Sequence, residues 1–149
     1  MLPKTDWAAL IPHAGSMCLL DSVLAWDERT IHAISESQAR ADNPLRSTQG
    51  LHAVHLAEYG AQAMAVHGAL LARASGAQTA RPGRLVSLRD VQLFVEYVDH
   101  YDGHLDVHAE CLQASEASAQ YLFRVEHRGQ LLASGRAAVI HPESRARMP

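Results

Sequence analysis

One segment limits the fold more than any other. From about Leu51 to Ala74 the chain has no proline, few β-branched residues and abundant alanine, and strand-like runs lie on both sides of it. That composition predicts a single long helix ending near Gly76. Its small residues (Ala57, Gly60, Ala61, Ala63, Ala65, Gly68) allow another backbone to approach closely. A helix apolar nearly all round is expected to be buried. Yet this one carries His52, His55, Glu58, Gln62 and His67, and such groups are costly to desolvate unless partnered.

The flanking segments read as strands. "MCLLDSVLAWD" (17–27) and "TIHAISES" (30–37) are joined by the turn Asp27-Glu28-Arg29. After a Gly-, Pro- and Arg-rich loop come "RLVSLRDVQLFVEYV" (84–98), "HLDVHAECLQA" (104–114), "AQYLFRVEH" (119–127) and "QLLASGRAAVI" (130–140). The alternation predicts inward faces of Leu105, Val107, Ala109 and Cys111; of Tyr121, Phe123 and Val125; and of Leu131, Ala133, Ala137 and Val139. Hairpin turns are expected at Tyr101-Asp102-Gly103, Glu116-Ala117-Ser118 and Arg128-Gly129. At the start, Thr5 or Asp6 is placed to cap a short helix running to about Leu10, before Pro12. Successive hairpins give an antiparallel sheet whose apolar face needs a cover, and the central helix is the only candidate. The expected architecture is α+β, one domain spanning residues 1–149 with a frayed tail from about residue 142.

Composition removes several classes of function. A formal charge of −3 gives no phosphate-binding footprint, so nucleic acid is not an expected partner. No apolar run approaches the ~18 residues of a membrane span, and "MLPKTDWAALIPHAG" lacks the apolar core of a signal peptide. Cys18 and Cys111, each in an apolar run, read as free thiols of a cytoplasmic protein.

Three features together resemble the hot-dog fold of the β-hydroxyacyl-acyl-carrier-protein dehydratases. "IPHAGSMCLLDSV" (11–23) is similar to their N-terminal signature, with His13 and Asp21 at matching positions. "EYGAQA" (58–63) is similar to the start of their central helix, where Glu58 and Gln62 match an acidic residue followed one turn later by Gln. The order of elements agrees along essentially the whole chain. "DNPLR" (42–46) and "EYGAQAMAVHGALL" (58–71) further resemble a divergent branch of predicted dehydratases associated with aryl polyene pathways. One departure stands out. The family's catalytic histidine sits in a His-Phe-Pro-Gly loop ahead of the helix, whereas this chain has "ADNPLRS" there and no histidine from Ala33 to Leu51.

The resemblance implies elimination of water from a (3R)-3-hydroxyacyl thioester to give the trans-2-enoyl product, in fatty acid or aryl polyene biosynthesis. Such a reaction needs a base at C2, an acid for the departing hydroxyl and stabilisation of the thioester oxygen. Family roles give Glu58 the acid's part and the helix N-terminus the carbonyl. His55, three residues before Glu58 on the same face, is the first candidate for the missing base; His52, one turn earlier, is second and His13 third. Gln62, His13 and Asn43 are assigned to substrate binding. A purely structural His55 stays open, as do structural roles for Asp21 and His67. Zinc is disfavoured, because ligands at i, i+3 and i+6 of one helix converge poorly on one ion, and no cofactor is implied.

The implied partner is an acyl carrier protein bearing a phosphopantetheine-linked 3-hydroxyacyl chain. Arg73, Arg81, Arg84 and Arg89 offer a basic rim to that acidic protein. The family also implies a homodimer or larger assembly, whose sites combine two subunits. The alternatives are a weakly active partner of another dehydratase and an acyl-CoA thioesterase on the same fold.

Overall fold

The computed structural model describes residues 1–11, 14–76 and 84–140, with Arg84 described by its backbone only. Among the described residues seven strands form one antiparallel sheet: β1 (Leu2–Pro3), β2 (Ser22–Trp26), β3 (Thr30–Ser35), β4 (Arg84–Leu93), β5 (Leu105–Ala114), β6 (Ser118–His127) and β7 (Gln130–Ile140). They lie in the order β1-β2-β3-β5-β6-β7-β4. Helix α1 (Lys4–Trp7) follows β1, and α2 (Leu56–Ala74) lies across the sheet. This is the hot-dog architecture expected from the sequence.

At the amino terminus the helix begins earlier than expected. Pro3 occupies the cap position, and Thr5 and Asp6 lie inside the helix rather than capping it. A 3-10 turn (Ala8–Leu10) completes the expected span. Trp7, fully buried, donates its indole N–H to the Leu2 carbonyl at 3.2 Å and seats this segment on the core.

Helix α2 ends as expected and starts late. Residues 50–52 are not helical; a 3-10 turn, Ala53–His55, leads into Leu56. At the other end of the chain's middle region, β4 stops at Leu93 instead of running to Val98. Both departures have one cause: the two segments pair with each other. The Ala53 amide donates to the Glu96 carbonyl (2.8 Å) and the Val98 amide to the Leu51 carbonyl (2.9 Å), with a bridge between His52 and Tyr97. Long-range pairing outweighs the local helical preference of residues 51–54.

The run 17–27 also yields less strand than expected, because Met17 and Leu19 bond to a side chain of α2 rather than to a neighbouring strand. Inward faces follow the alternation on β6, where Ala119, Tyr121, Phe123 and Val125 are buried. On β7, a bulge opposite Val125 and Glu126 turns the chain so that Leu132, not Leu131, is fully buried beside Ala133. Cys111 precedes a similar irregularity and is only partly covered. Both residues of the Arg128-Gly129 turn have positive φ (49° and 83°), as a two-residue hairpin requires.

Helix α2 buries Tyr59, Gly60, Gln62, Ala63, Met64, Val66, His67 and Leu70. A Cβ on Gly60 would come within 2.7 Å of the Phe123 ring, so glycine here sets the distance between helix and sheet. Contrary to the expectation of burial all round, Ala57, Glu58, Ala61, Ala65, Gly68 and Ala72 form a half-covered stripe away from the sheet.

Candidate active site

The site is built where the chain turns into α2. Gly50 has φ of +120°, a conformation open to glycine, and a Cβ there would collide with the Asp99 carboxylate. That close approach lets Asp99 accept the Leu51 amide at 2.9 Å. The bond holds the Asp99 carboxyl below the usual range, with Arg46 assisting from 3.5 Å. The loop is thus fixed before the helix begins.

Every one of the first four amides of this helical segment has a partner. Ala53 donates to Glu96, His55 to the His52 carbonyl (3.1 Å) and Leu56 to the carbonyls of Ala53 and Val54. Val54 donates to the Nδ1 atom of His52 at 3.0 Å. The resemblance implied free N–H groups here for a thioester carbonyl; the geometry instead satisfies them within the chain. What this end still offers is the positive end of the helix dipole.

His52 has extended backbone angles and sits off the helix, so the stripe expected through His52, His55 and Glu58 begins only at His55. His55 closes the 3-10 turn, and Glu58 lies in the first turn of α2; both are half-buried. An acidic side chain is favoured at that position by the dipole. Gln62, fully buried, donates to the Glu58 carboxylate at 3.4 Å and to the Met17 carbonyl at 2.6 Å, while its carbonyl accepts the Leu19 amide at 2.8 Å. Its polar atoms are committed to the protein, and it ties Glu58 to the amino-terminal segment.

Asn43 is similarly committed. Its Nδ2 donates to the Ser37 carbonyl (2.9 Å) and the Tyr59 hydroxyl (3.1 Å), and its Oδ1 accepts the Leu45 amide (2.9 Å). Ser37 and Ser35 continue the buried network, Ser37 meeting the Tyr59 hydroxyl at 2.7 Å. Burial raises the Tyr59 pKa, so the hydroxyl stays neutral. Sequence reasoning singles out none of Tyr59, Ser35, Ser37 and Asp99. The only signal is a tyrosine inside the "EYGAQA" phrase. His13 lies outside the described residues.

The remaining candidates are dispersed. Asp21 accepts the Glu36 amide (2.6 Å) and Arg40 (2.7 Å), a tie between the first strands. Of the basic rim, Arg73 donates to the Asp6 carbonyl at 3.0 Å, Arg89 is exposed on β4, and Arg81 and the Arg84 side chain are outside the described residues. Among the described residues no three His, Cys, Asp or Glu side chains are arranged to hold a metal ion.

His67 is fully buried two turns beyond the site. Its Nε2 donates to the Asp27 carbonyl (2.8 Å), so its Nδ1 accepts from the Tyr121 hydroxyl (2.7 Å) and the ring is neutral. Burial holds its pKa below the usual imidazole range; His108, stacked on His32 at 4.2 Å, is lowered by burial and then by Arg124. Below a pH of about 6.5 an unfolded chain binds protons that these folded rings refuse. Stability is therefore full above that pH and declines as the pH falls through it. His67→Leu, compared by thermal melts from pH 8 to 5, is expected to be destabilised at every pH and to show a shallower acid decline. An unchanged decline would remove His67 from this account.

Comparison with known proteins gives these residues a family. The sequence matches the ApeP-like family, described as ApeP dehydratase, over residues 5–148. Among solved structures, the dehydratase heterocomplex ApeI:P from Xenorhabdus doucetiae is similar with a TM-score of 0.83 and 21% identity, over 97% of this chain and 93% of that one. A hypothetical thioesterase with coenzyme A from Streptococcus pneumoniae has a TM-score of 0.60 at 10% identity, covering 83% and 87%. AziG from S. sahachiroi has a TM-score of 0.56 at 20% identity, covering 84% and 92%. Among the curated proteins nothing matches. At such identities the solved structures carry the fold alone; the family rests on the match along nearly the entire sequence. The chain belongs to the ApeP-like dehydratase family.

Proposed function

We propose that the protein dehydrates a (3R)-3-hydroxyacyl thioester carried by an acyl carrier protein, giving the trans-2-enoyl product for fatty acid or aryl polyene synthesis. The observation that supports this is the place of Glu58, held by Gln62 in the first turn of α2, with His55 three residues before it at the position that opens the helix. His55 removes the C2 proton, the electron pair forms the C2–C3 double bond, and Glu58 protonates the hydroxyl as it leaves as water. Charge developing on the thioester oxygen falls at the positive end of α2, whose dipole opposes it. His13, which lies outside the described residues and matches the family's amino-terminal signature, is the alternative base.

We assign His52 no proton-transfer role here, because its Nδ1 accepts the Val54 amide and is not free to take a proton while that bond is made. Half-covered small residues beyond Glu58 (Ala61, Ala65, Gly68) offer the acyl chain a path along the helix. The reaction takes place in the cytoplasm, where acyl carrier proteins work, and no helix among the described residues is long and apolar enough to cross a membrane.

A second reading, as one subunit of a mixed dehydratase assembly, is favoured by the open edge of β4 among the described residues and by the heterocomplex in which the ApeI:P relative occurs. The test is direct. A purified 3-hydroxyacyl-carrier-protein is incubated with the protein alone and with a second dehydratase subunit, and intact mass and free thiol are followed. Loss of water with the protein alone is expected. Release of free thiol would point instead to thioester hydrolysis, and turnover only in the mixture to the partner reading.

A further inference from the structure

We infer that His52 is a positioning residue for the proposed reaction: it is the side-chain cap that sets the helix entry bearing His55 and Glu58. The inference rests on the dehydratase reading above, but its geometry does not. Of the four amides that open the helical segment, three are held by backbone carbonyls and only Val54 by a side chain, the His52 ring at 3.0 Å. A neutral imidazole can accept there only through an unprotonated Nδ1, which fixes the Nε2–H tautomer. Proton uptake at Nδ1 would remove the lone pair that Val54 uses. The groups that make His52 a cap therefore stop it from serving as base.

The ring is braced on its other side. It meets Tyr97 edge to face, with centroids 5.5 Å apart and planes at 80°. Tyr97 in turn donates its hydroxyl to the Gln49 side chain at 2.8 Å. His52 and Tyr97 also face each other as a backbone bridge, so ring and main chain share one frame. The capped turn is only Ala53–His55, and His55 is its last residue. Loss of the cap loosens the three residues that aim the base, while Glu58, one turn further on, stays tied to Gln62. Misplacement of a reacting group by about 1 Å can lower a rate ~100-fold, so the effect belongs in kcat.

Asparagine is the discriminating replacement. Its side chain caps helices well and cannot act as a base near neutral pH. Dehydration is measured for the wild type, His52→Ala and His52→Asn, with melting curves to confirm that each is folded. His52→Ala is expected to lose roughly 100-fold in kcat with KM changed less than about threefold, and His52→Asn to recover to within about threefold of the wild type. Equal loss in both variants, or no loss in alanine, overturns the inference. A second readout is independent of turnover: nitrogen-15 spectra of the wild type are expected to show His52 as the Nε2–H tautomer, and amide exchange at Val54 to accelerate in His52→Ala alone. Should the wild type not dehydrate the substrate at all, the proposed function fails while these spectra still decide the cap. A mixed tautomer, or unchanged Val54 exchange, overturns the cap itself.

Discussion

Glu58→Ala is expected to lower the dehydration rate by about 10²–10⁴-fold, the range associated with losing a positioned proton-transfer group. His55→Ala is expected to fall in the same range, and the double variant to lose little more than either single one, because the two groups serve one transition state. Glu58→Gln separates chemistry from placement. The carbonyl of the substituted amide can still accept from Gln62, whose Nε2 lies 3.4 Å from the native carboxylate, but that amide has no acidic proton to give. Glu58→Gln should therefore keep its tie to Gln62 and still turn over like Glu58→Ala. Substrate burst or steady-state assays with intact-mass detection supply the rates. A Glu58→Gln variant with near-native turnover would remove Glu58 as the acid, and a near-native His55→Ala would move the base to His13. Gln62 makes a useful contrast. Removing it leaves the Leu19 amide and the Met17 carbonyl without their side-chain partner, each at a penalty of about 1–3 kcal/mol where burial is complete. Gln62→Ala is thus expected to lower both stability and rate.

The strand pattern and the helix are legible in the sequence because their signals are local. Period-two alternation gives β6 directly, since Tyr121, Phe123 and Val125 all point inward. Where sequence and structure part, the deciding partner is distant along the chain. Nothing near Leu51 announces that its amide will bond to Asp99, or that Ala53 will bond to Glu96, and those contacts delay the helix. The inward turn of Leu132 depends on a bulge opposite Val125, which alternation within β7 cannot encode. The site divides in the same way. Spacing places His55 near Glu58, and the family phrase marks Gln62. Neither shows that the polar atoms of Gln62 and Asn43 are used up inside the protein. Nor does a histidine's sequence position tell whether its ring meets substrate or, as for His52, a backbone amide.

The second large effect concerns β4. This ten-residue strand is the last in the sheet order, so among the described residues one edge of its backbone has no neighbouring strand. Leu85, Val86, Leu88, Val91, Leu93 and Phe94 are all exposed in the single chain. Proteins normally blunt such an edge with charge, proline or a cover. Here there are Arg89 and Asp90, and a register break between Arg89 and Gln92, while long stretches of the edge stay apolar. Val86→Lys/Leu88→Lys is therefore expected to convert an assembled protein into monomers in sedimentation velocity. Because both side chains are already exposed in the chain, the fold of the monomer should change little, within about 0.5 kcal/mol for each site. Activity should still fall at least tenfold. The segment leaving β4 supplies Glu96, Tyr97 and Asp99, which hold the entry to α2 through the Ala53 amide, the His52 ring and the Leu51 amide. Restraining the edge by a second subunit restrains that segment too, so releasing it loosens His55 and Glu58 without touching either. A variant that stays assembled would show that β4 is not the contact. One that is monomeric with native turnover would show that the single chain completes the site by itself. Loss of turnover regained on adding a second, unmodified dehydratase subunit would place the missing restraint in a mixed pair.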